Sequence, residues 1–218
     1  MKGKLIVLEG LDGSGKQTQA ALLADALRSR GENITAVSFP NYGSEAAVLL
    51  EKYLHGEYGN DPNDVNAYAA TTFFAIDRYV SYHSGWKEAY LGGGTILADR
   101  YTTSNAIHQC AKLPRMEWDD FLAWLFRYEY NQLGIPKPDK VIYLRVPTDV
   151  SAQLISKRYG GDESQKDIHE ANTEYQTACR AAAEYCAPFL GWKTVDCARD
   201  GVMRTPEDIH AEIMGLID

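Results

Sequence analysis

Cysteine is scarce: four residues in 218 (Cys110, Cys179, Cys186, Cys197), with no CxxC pair among them. That is too few and too scattered for a disulfide scaffold or a structural zinc centre, and the thiols are read as reduced. Long hydrophobic runs are lacking as well. The apolar run near the start, Leu5 to Leu8, falls far short of the roughly 18 residues a membrane span needs, and no signal-type segment precedes it. A soluble cytoplasmic protein without a membrane partner is expected. Blocks of like charge are absent: 22 basic against 30 acidic residues give a net charge of −8 with no basic stripe, which argues against general nucleic-acid binding. Any anionic ligand must then meet a local basic site. Repeats, low-complexity tracts and Pro/Ser-rich linkers are missing too, so a single domain over 1–218 is expected, and 45% apolar residues suffice for a packed core.

What is present is alternation. Lys4–Leu8, Ile34–Phe39, Thr95–Ala98, Val141–Arg145 and Lys193–Val195 are too short for helices and rich in Ile, Val and Leu, the pattern of buried strands. Between them, helical spacing runs over Gln17–Arg30, Glu45–Leu54, Asn66–Tyr90, Met116–Leu133, Val150–Lys157, Ala171–Phe189 and Thr205–Ile217. The last is opened by Thr205, Pro206 and Asp208 in capping order. Strands alternating with helices predict an α/β, three-layer fold: a five-stranded parallel sheet with helices on both faces. Ligands of such sheets bind at the carboxyl ends of the strands, here just after Leu8, Phe39 and Ala98.

After the first of these ends comes Gly10-Leu11-Asp12-Gly13-Ser14-Gly15-Lys16-Gln17-Thr18, which then opens the first long helix. A strand, a glycine-rich turn, a lysine and a helix start in that order form a phosphate-binding P-loop. Backbone N–H groups turn inward around a phosphate, the helix N-terminus adds its dipole, and Lys16 reaches the terminal phosphates. The bland alternative is a glycine-rich turn with no ligand. Gln17 stands where a Ser or Thr usually ligates magnesium, with Thr18 one residue later; the Gln17 amide oxygen is a weaker substitute. The second strand ends at Phe39-Pro40-Asn41-Tyr42-Gly43 and the third at Asp99-Arg100-Tyr101. An acid ending a strand beside a P-loop suits magnesium, and an adjacent arginine suits phosphate oxygens. Taken alone, Asp99 is as well explained as a helix cap paired with Arg100.

These motifs, with Leu54-His55-Gly56-Glu57-Tyr58-Gly59, Phe74-Ala75-Ile76-Asp77-Arg78, Ser104-Asn105 and Leu133-Gly134-Ile135-Pro136-Lys137-Pro138-Asp139, occur in an order that resembles the thymidylate kinase family over nearly the whole chain. The resemblance implies a P-loop NTPase fold, ATP and dTMP as substrates, dTDP as product in the supply of dTTP, a magnesium cofactor, and a homodimer. It implies that Phe74 stacks on thymine, that Arg78 donates to a thymine carbonyl, and that Asn105 pairs with the base edge. By the same resemblance, Asp12 is expected to accept from the 3′-hydroxyl or to organise magnesium with Asp99 and Glu170. Tyr42, Arg100, Phe39, Pro40 and Ser104 surround the acceptor, and His108 stands where some relatives carry a tyrosine near the sugar.

A polar, glycine-bearing stretch at about 157–170 matches the family's lid, which implies that Arg158 cancels charge on the transferred phosphoryl group and that Glu170 lies near magnesium and the sugar. Gly13 and Asn41-Tyr42 occupy places where many members have arginine, so neutralisation falls on Lys16, Arg100, Arg158 and magnesium. Two rival functions share the sequence: a deoxynucleoside kinase, which needs a carboxylate to deprotonate a 5′-hydroxyl, and a regulatory nucleotide-binding protein without phosphoryl transfer.

Overall fold

A computed structural model describes residues 2–158, 162 and 167–217, with side chains for all of these but 156–158. Five strands, β1 (Lys4–Glu9), β2 (Ile34–Ser38), β3 (Thr95–Asp99), β4 (Lys140–Arg145) and β5 (Lys193–Asp196), form one sheet in the order β2-β3-β1-β4-β5. All four pairings are parallel, as the alternating pattern predicts. Alternate residues of β1 serve opposite layers because side chains of a strand point to opposite faces. Ile6 and Leu8 pack with Leu23 and Leu27 of α1 (Lys16–Ser29) and Ile209 and Ile213 of α10 (Pro206–Ile217). Leu5 and Val7 pack instead with Trp86, Tyr90 and Tyr101.

The remaining helices are α2 (Val48–Leu54), α3 (Ala67–Ser81), α4 (Lys87–Leu91), α5 (Thr102–Cys110), α6 (Trp118–Phe126), α7 (Thr148–Arg158), α8 (Ile168–Ala171) and α9 (Thr173–Phe189). The structure differs from the sequence expectations in four places. The stretch after Arg100 carried no helix in the sequence pattern, yet α5 is there, and eight of its nine residues are buried. Thr102, Thr103, Asn105, His108 and Gln109 are buried polar residues, so no apolar stripe announces the helix. The periodic stretch Asn66–Tyr90 is not one helix: α3, capped by the Asn66 side chain, passes into a π-helical turn over Tyr82–Trp86 before α4. Likewise α6 gives way to a π-helical turn over Arg127–Gln132. A short antiparallel hairpin, β6 (Ala198–Arg199) and β7 (Val202–Met203), was not expected. Its two-residue turn is Asp200-Gly201, both at positive φ, which is a hairpin signal readable from sequence. No helix among the described residues is long and apolar enough to cross a membrane.

Candidate active site

Parallel pairing brings the carboxyl ends of β1, β2 and β3 level: Leu8 and Ser38 both lie opposite Asp99. The glycine-rich turn therefore emerges beside Asp99 and Arg100. Gly13 adopts a positive φ, and a Cβ there would come within 2.7 Å of the Ser151 carbonyl oxygen; one on Gly10 would come within 2.6 Å of Ser14 Oγ. The turn thus brings backbone closer than a side chain at Gly13 would allow, which is why glycine stands there. Lys16 Nζ folds back to donate to the Leu11 carbonyl at 2.8 Å and Ser14 Oγ at 3.3 Å. Burial, reinforced by the nearby Arg100 charge, lowers its pKa to about 8.

Arg100 is the hub of the site. It holds a left-handed backbone (φ 65°), a conformation that costs a non-glycine residue energy and that recurs at functional positions. Its guanidinium donates to Asp12, to the Gly10 carbonyl at 3.2 Å and to Ser104 Oγ at 3.4 Å, and lies 3.8 Å from Glu9. Burial alone would push the Asp12 carboxyl up, but Arg100 and Lys16 hold it well below the usual carboxylate range. Glu9, fully buried at the end of β1, accepts from Thr103 Oγ1 at 2.6 Å, from Ser104 Oγ at 2.9 Å and from the Gly10 N–H at 2.9 Å. The sequence reading missed Glu9, although a carboxylate closing an otherwise apolar strand is a visible anomaly.

Next to this hub opens a cleft lined by ten residues singled out from the sequence: Asp12, Phe39, Pro40, Tyr42, Phe74, Arg78, Arg100, Ser104, Asn105 and His108. α3 supplies Phe74 and Arg78 one turn apart, and α5 supplies Asn105 and Gln109 in the same way. Phe74 meets Tyr53 edge to face at 6.2 Å, and the Asn105 amide donates to the Thr71 carbonyl at 3.4 Å. Gln109 was missed; it is fully buried, lines the cleft, and neither of its amide atoms has a hydrogen-bond partner among the described residues. His108 stacks on His169 with centroids 5.5 Å apart, and burial, assisted by Arg100, lowers its pKa to about 3, so its ring is neutral.

From the segment expected to form the lid, Asp167 and His169 line the cleft, whereas Glu170 is not among its walls. Asp167 caps α8 by accepting from the His169 and Glu170 N–H groups. Burial raises its pKa to about 7. The Arg158 side chain lies outside the described residues. On the cradle's other flank, Gln17 shares a groove with Asp99, whose buried Oδ1 has no hydrogen-bond partner among the described residues. Thr18 lines a different groove with Gly13, Gly15, Leu154, Met203 and Arg204.

Lys112 supports the cleft from behind, donating to Tyr53 Oη at 2.8 Å and the Val65 carbonyl at 3.0 Å, while Tyr53 meets His169 at 2.7 Å. Burial lowers its pKa from 10.5 to about 7. The unfolded chain therefore binds more protons than the folded one between those values, and stability present above pH 10.5 is lost as pH falls towards 7. Thermal midpoints measured from pH 7 to pH 10 should climb less steeply in Lys112→Met than in the unaltered protein; equal slopes would remove Lys112 from this account.

A phosphate cradle at the central strand end, with a cleft of aromatic, amide and guanidinium groups beside it, defines a P-loop phosphotransferase acting on small nucleotides. The comparisons with known proteins narrow that class. The thymidylate kinase family model matches residues 8–207. Thymidylate kinase of Mycobacterium tuberculosis is 37% identical over 173 residues, which is 79% of this chain and 77% of that protein. The enzyme of Schizosaccharomyces pombe is 27% identical over 216 residues, 99% of this chain and 92% of that one. The solved thymidylate kinase of Candida albicans superposes with a TM-score of 0.72 at 20% identity, covering 99% of this chain and 91% of its own, and so shares the fold. The chain belongs to the thymidylate kinase family.

Proposed function

We propose that the chain is an ATP-dependent thymidylate kinase that converts dTMP to dTDP and so supplies dTTP for DNA synthesis. The observation that carries this reading is the meeting of two sites at Arg100, which touches Asp12 and Gly10 of the cradle on one side and Ser104 of the cleft on the other. Gly10, Asp12, Gly13, Ser14, Gly15, Lys16, Gln17 and Thr18 hold the ATP phosphates, and the groove of Thr18, Met203 and Arg204 takes the nucleoside end of ATP. In the cleft Phe74 stacks on thymine, Arg78 and Asn105 read the base edge, and Gln109 adds an amide nitrogen and a carbonyl oxygen that have no partner among the described residues. Phe39, Pro40, Tyr42, Ser104 and Arg100 surround the acceptor phosphate, Asp12 faces the sugar and phosphates, and neutral His108 walls the sugar.

The acceptor oxygen of dTMP is already anionic at neutral pH. No strong general base is required, and positioning with charge stabilisation supplies the rate. Lys16, Arg100 and Arg158 carry the positive charge. The donor set fits magnesium, because Asp99 presents a buried carboxylate oxygen without a partner among the described residues and magnesium takes one or two carboxylates, waters and substrate phosphates. Asp99 would hold it, with Asp12 and Glu170 through water, and bound magnesium offsets charge on the phosphate oxygens. A neutral 5′-hydroxyl acceptor is the less favoured reading, since the carboxylates nearest Arg100, Asp12 and Glu9, are both tied to that cation.

The reading includes a single domain with its lid at about 157–170, a cytoplasmic setting and a homodimer. Exposed Tyr68, Ile76, Tyr79 and Val80 on α3, with Val48 and Leu49 on α2, supply an apolar face for the dimer. Phe74→Ala tests the acceptor site. The KM for dTMP is expected to rise about ten- to a hundredfold, in line with base–aromatic stacking, with the KM for ATP unchanged. An unaltered KM for dTMP would place the base elsewhere.

A further inference from the structure

Arg78 is buried, and two of its nitrogens are committed to one carboxylate: Nε donates to Glu129 Oε2 at 2.7 Å and Nη2 to Oε1 at 2.6 Å. Glu129 is itself fully buried, on the π-helical turn that follows α6, and accepts a third bond from Thr102 Oγ1 at 2.8 Å. Two parallel N–H···O bonds lock the plane of a guanidinium. The third nitrogen, Nη1, has no hydrogen-bond partner among the described residues, and Arg78 lines the cleft. For stability alone, well-packed apolar residues would serve a buried site at least as well as an ion pair. This pair instead ends at the cleft with a donor unspent.

We propose that Glu129 is a positioning residue for base selection: it holds Arg78 so that Nη1 meets a ring carbonyl of the acceptor base, favouring a base with a carbonyl there over one with an amino group. The inference rests on the cleft being the dTMP site. Thymine carries a carbonyl acceptor at C4, where cytosine carries an amino donor, so an aimed N–H distinguishes the two. Thr102 is the first residue of α5 and binds the same carboxylate. Arg78 from α3 and the helix that carries Asn105 and Gln109 thus share one anchor. Small displacements of a positioning group are costly in such sites.

Steady-state kinetics of Glu129→Gln with dTMP, dCMP and ATP test the proposal. Glutamine keeps the shape but cannot accept both bonds of the fork. The KM for dTMP is expected to rise about tenfold and the preference for dTMP over dCMP in kcat/KM to fall about tenfold, while the KM for ATP stays within about twofold. Thr102→Val removes only one bond to the carboxylate and should raise the KM for dTMP by about threefold; it decides the matter if Glu129→Gln does not fold. A role confined to structure would leave the dTMP/dCMP preference as it was, and that result would overturn the proposal. Unaltered enzyme that ignores dTMP removes the acceptor-site reading and this inference together, whereas active enzyme with unshifted variants removes this inference alone.

Discussion

Replacing Lys16 with methionine should lower kcat for dTDP formation by about a hundred- to a thousandfold, the usual cost of removing one preorganised charge donor from a transferring group. Lys16 is the cation at the start of α1, where the helix dipole also gathers. Its ammonium bends back to the Leu11 carbonyl and Ser14 Oγ, and burial beside Arg100 lowers its pKa to about 8. The Asp12, Asp99 and Glu9 charges offset that lowering only in part; phosphate oxygens beside the ammonium would raise the lysine pKa further and fix the proton on it. Removing a buried cation whose charged form is disfavoured by desolvation should not lower the thermal midpoint of the free protein. The loss therefore belongs in kcat, measured by coupled ADP release at saturating ATP and dTMP. Turnover within a few-fold of the unaltered enzyme would exclude Lys16 from the transfer.

Arg100→Ala should have an effect of similar size, about a hundredfold or more in kcat, accompanied by a higher KM for dTMP. The reason differs. Arg100 compensates two acids at once, Asp12 by direct contact and buried Glu9 at 3.8 Å. Its loss leaves both negative where the ATP phosphate chain must meet the dTMP phosphate, and leaves Glu9 as a buried charge without its cation. The thermal midpoint should fall, in contrast to Lys16→Met. Arg100→Lys should recover little, because one ammonium cannot reach Asp12, the Gly10 carbonyl and Ser104 Oγ together. Full recovery by lysine would reduce the role of Arg100 to charge alone.

The sheet and the cradle were legible in the sequence because both are local. Strands buried on two faces read as short apolar runs, and the glycine spacing with Lys16 encodes its own geometry. Phe74 and Arg78 were legible through helical spacing joined to the family resemblance. What stayed hidden depends on contacts distant in the chain. Ser104 meets Glu9 across 95 residues, and Arg78 meets Glu129 across 51, within a turn whose sequence continues the apparent periodicity of α6. α5 was invisible for a related reason: its buried residues are mostly polar and face the cleft and its supports, so the site itself erased the pattern that marks a helix. Asp167 and His169 were not singled out, because only the folded chain reveals which residues around the start of α8 line the cleft.

The most direct test is ADP release by the purified chain with ATP and magnesium, across dTMP, dUMP, UMP, dCMP, AMP, GMP and thymidine, with dTDP identified as product. The account predicts selective turnover of dTMP and none of thymidine. Thymidine turned over in preference to dTMP, or ATP bound without any acceptor being phosphorylated, would contradict it.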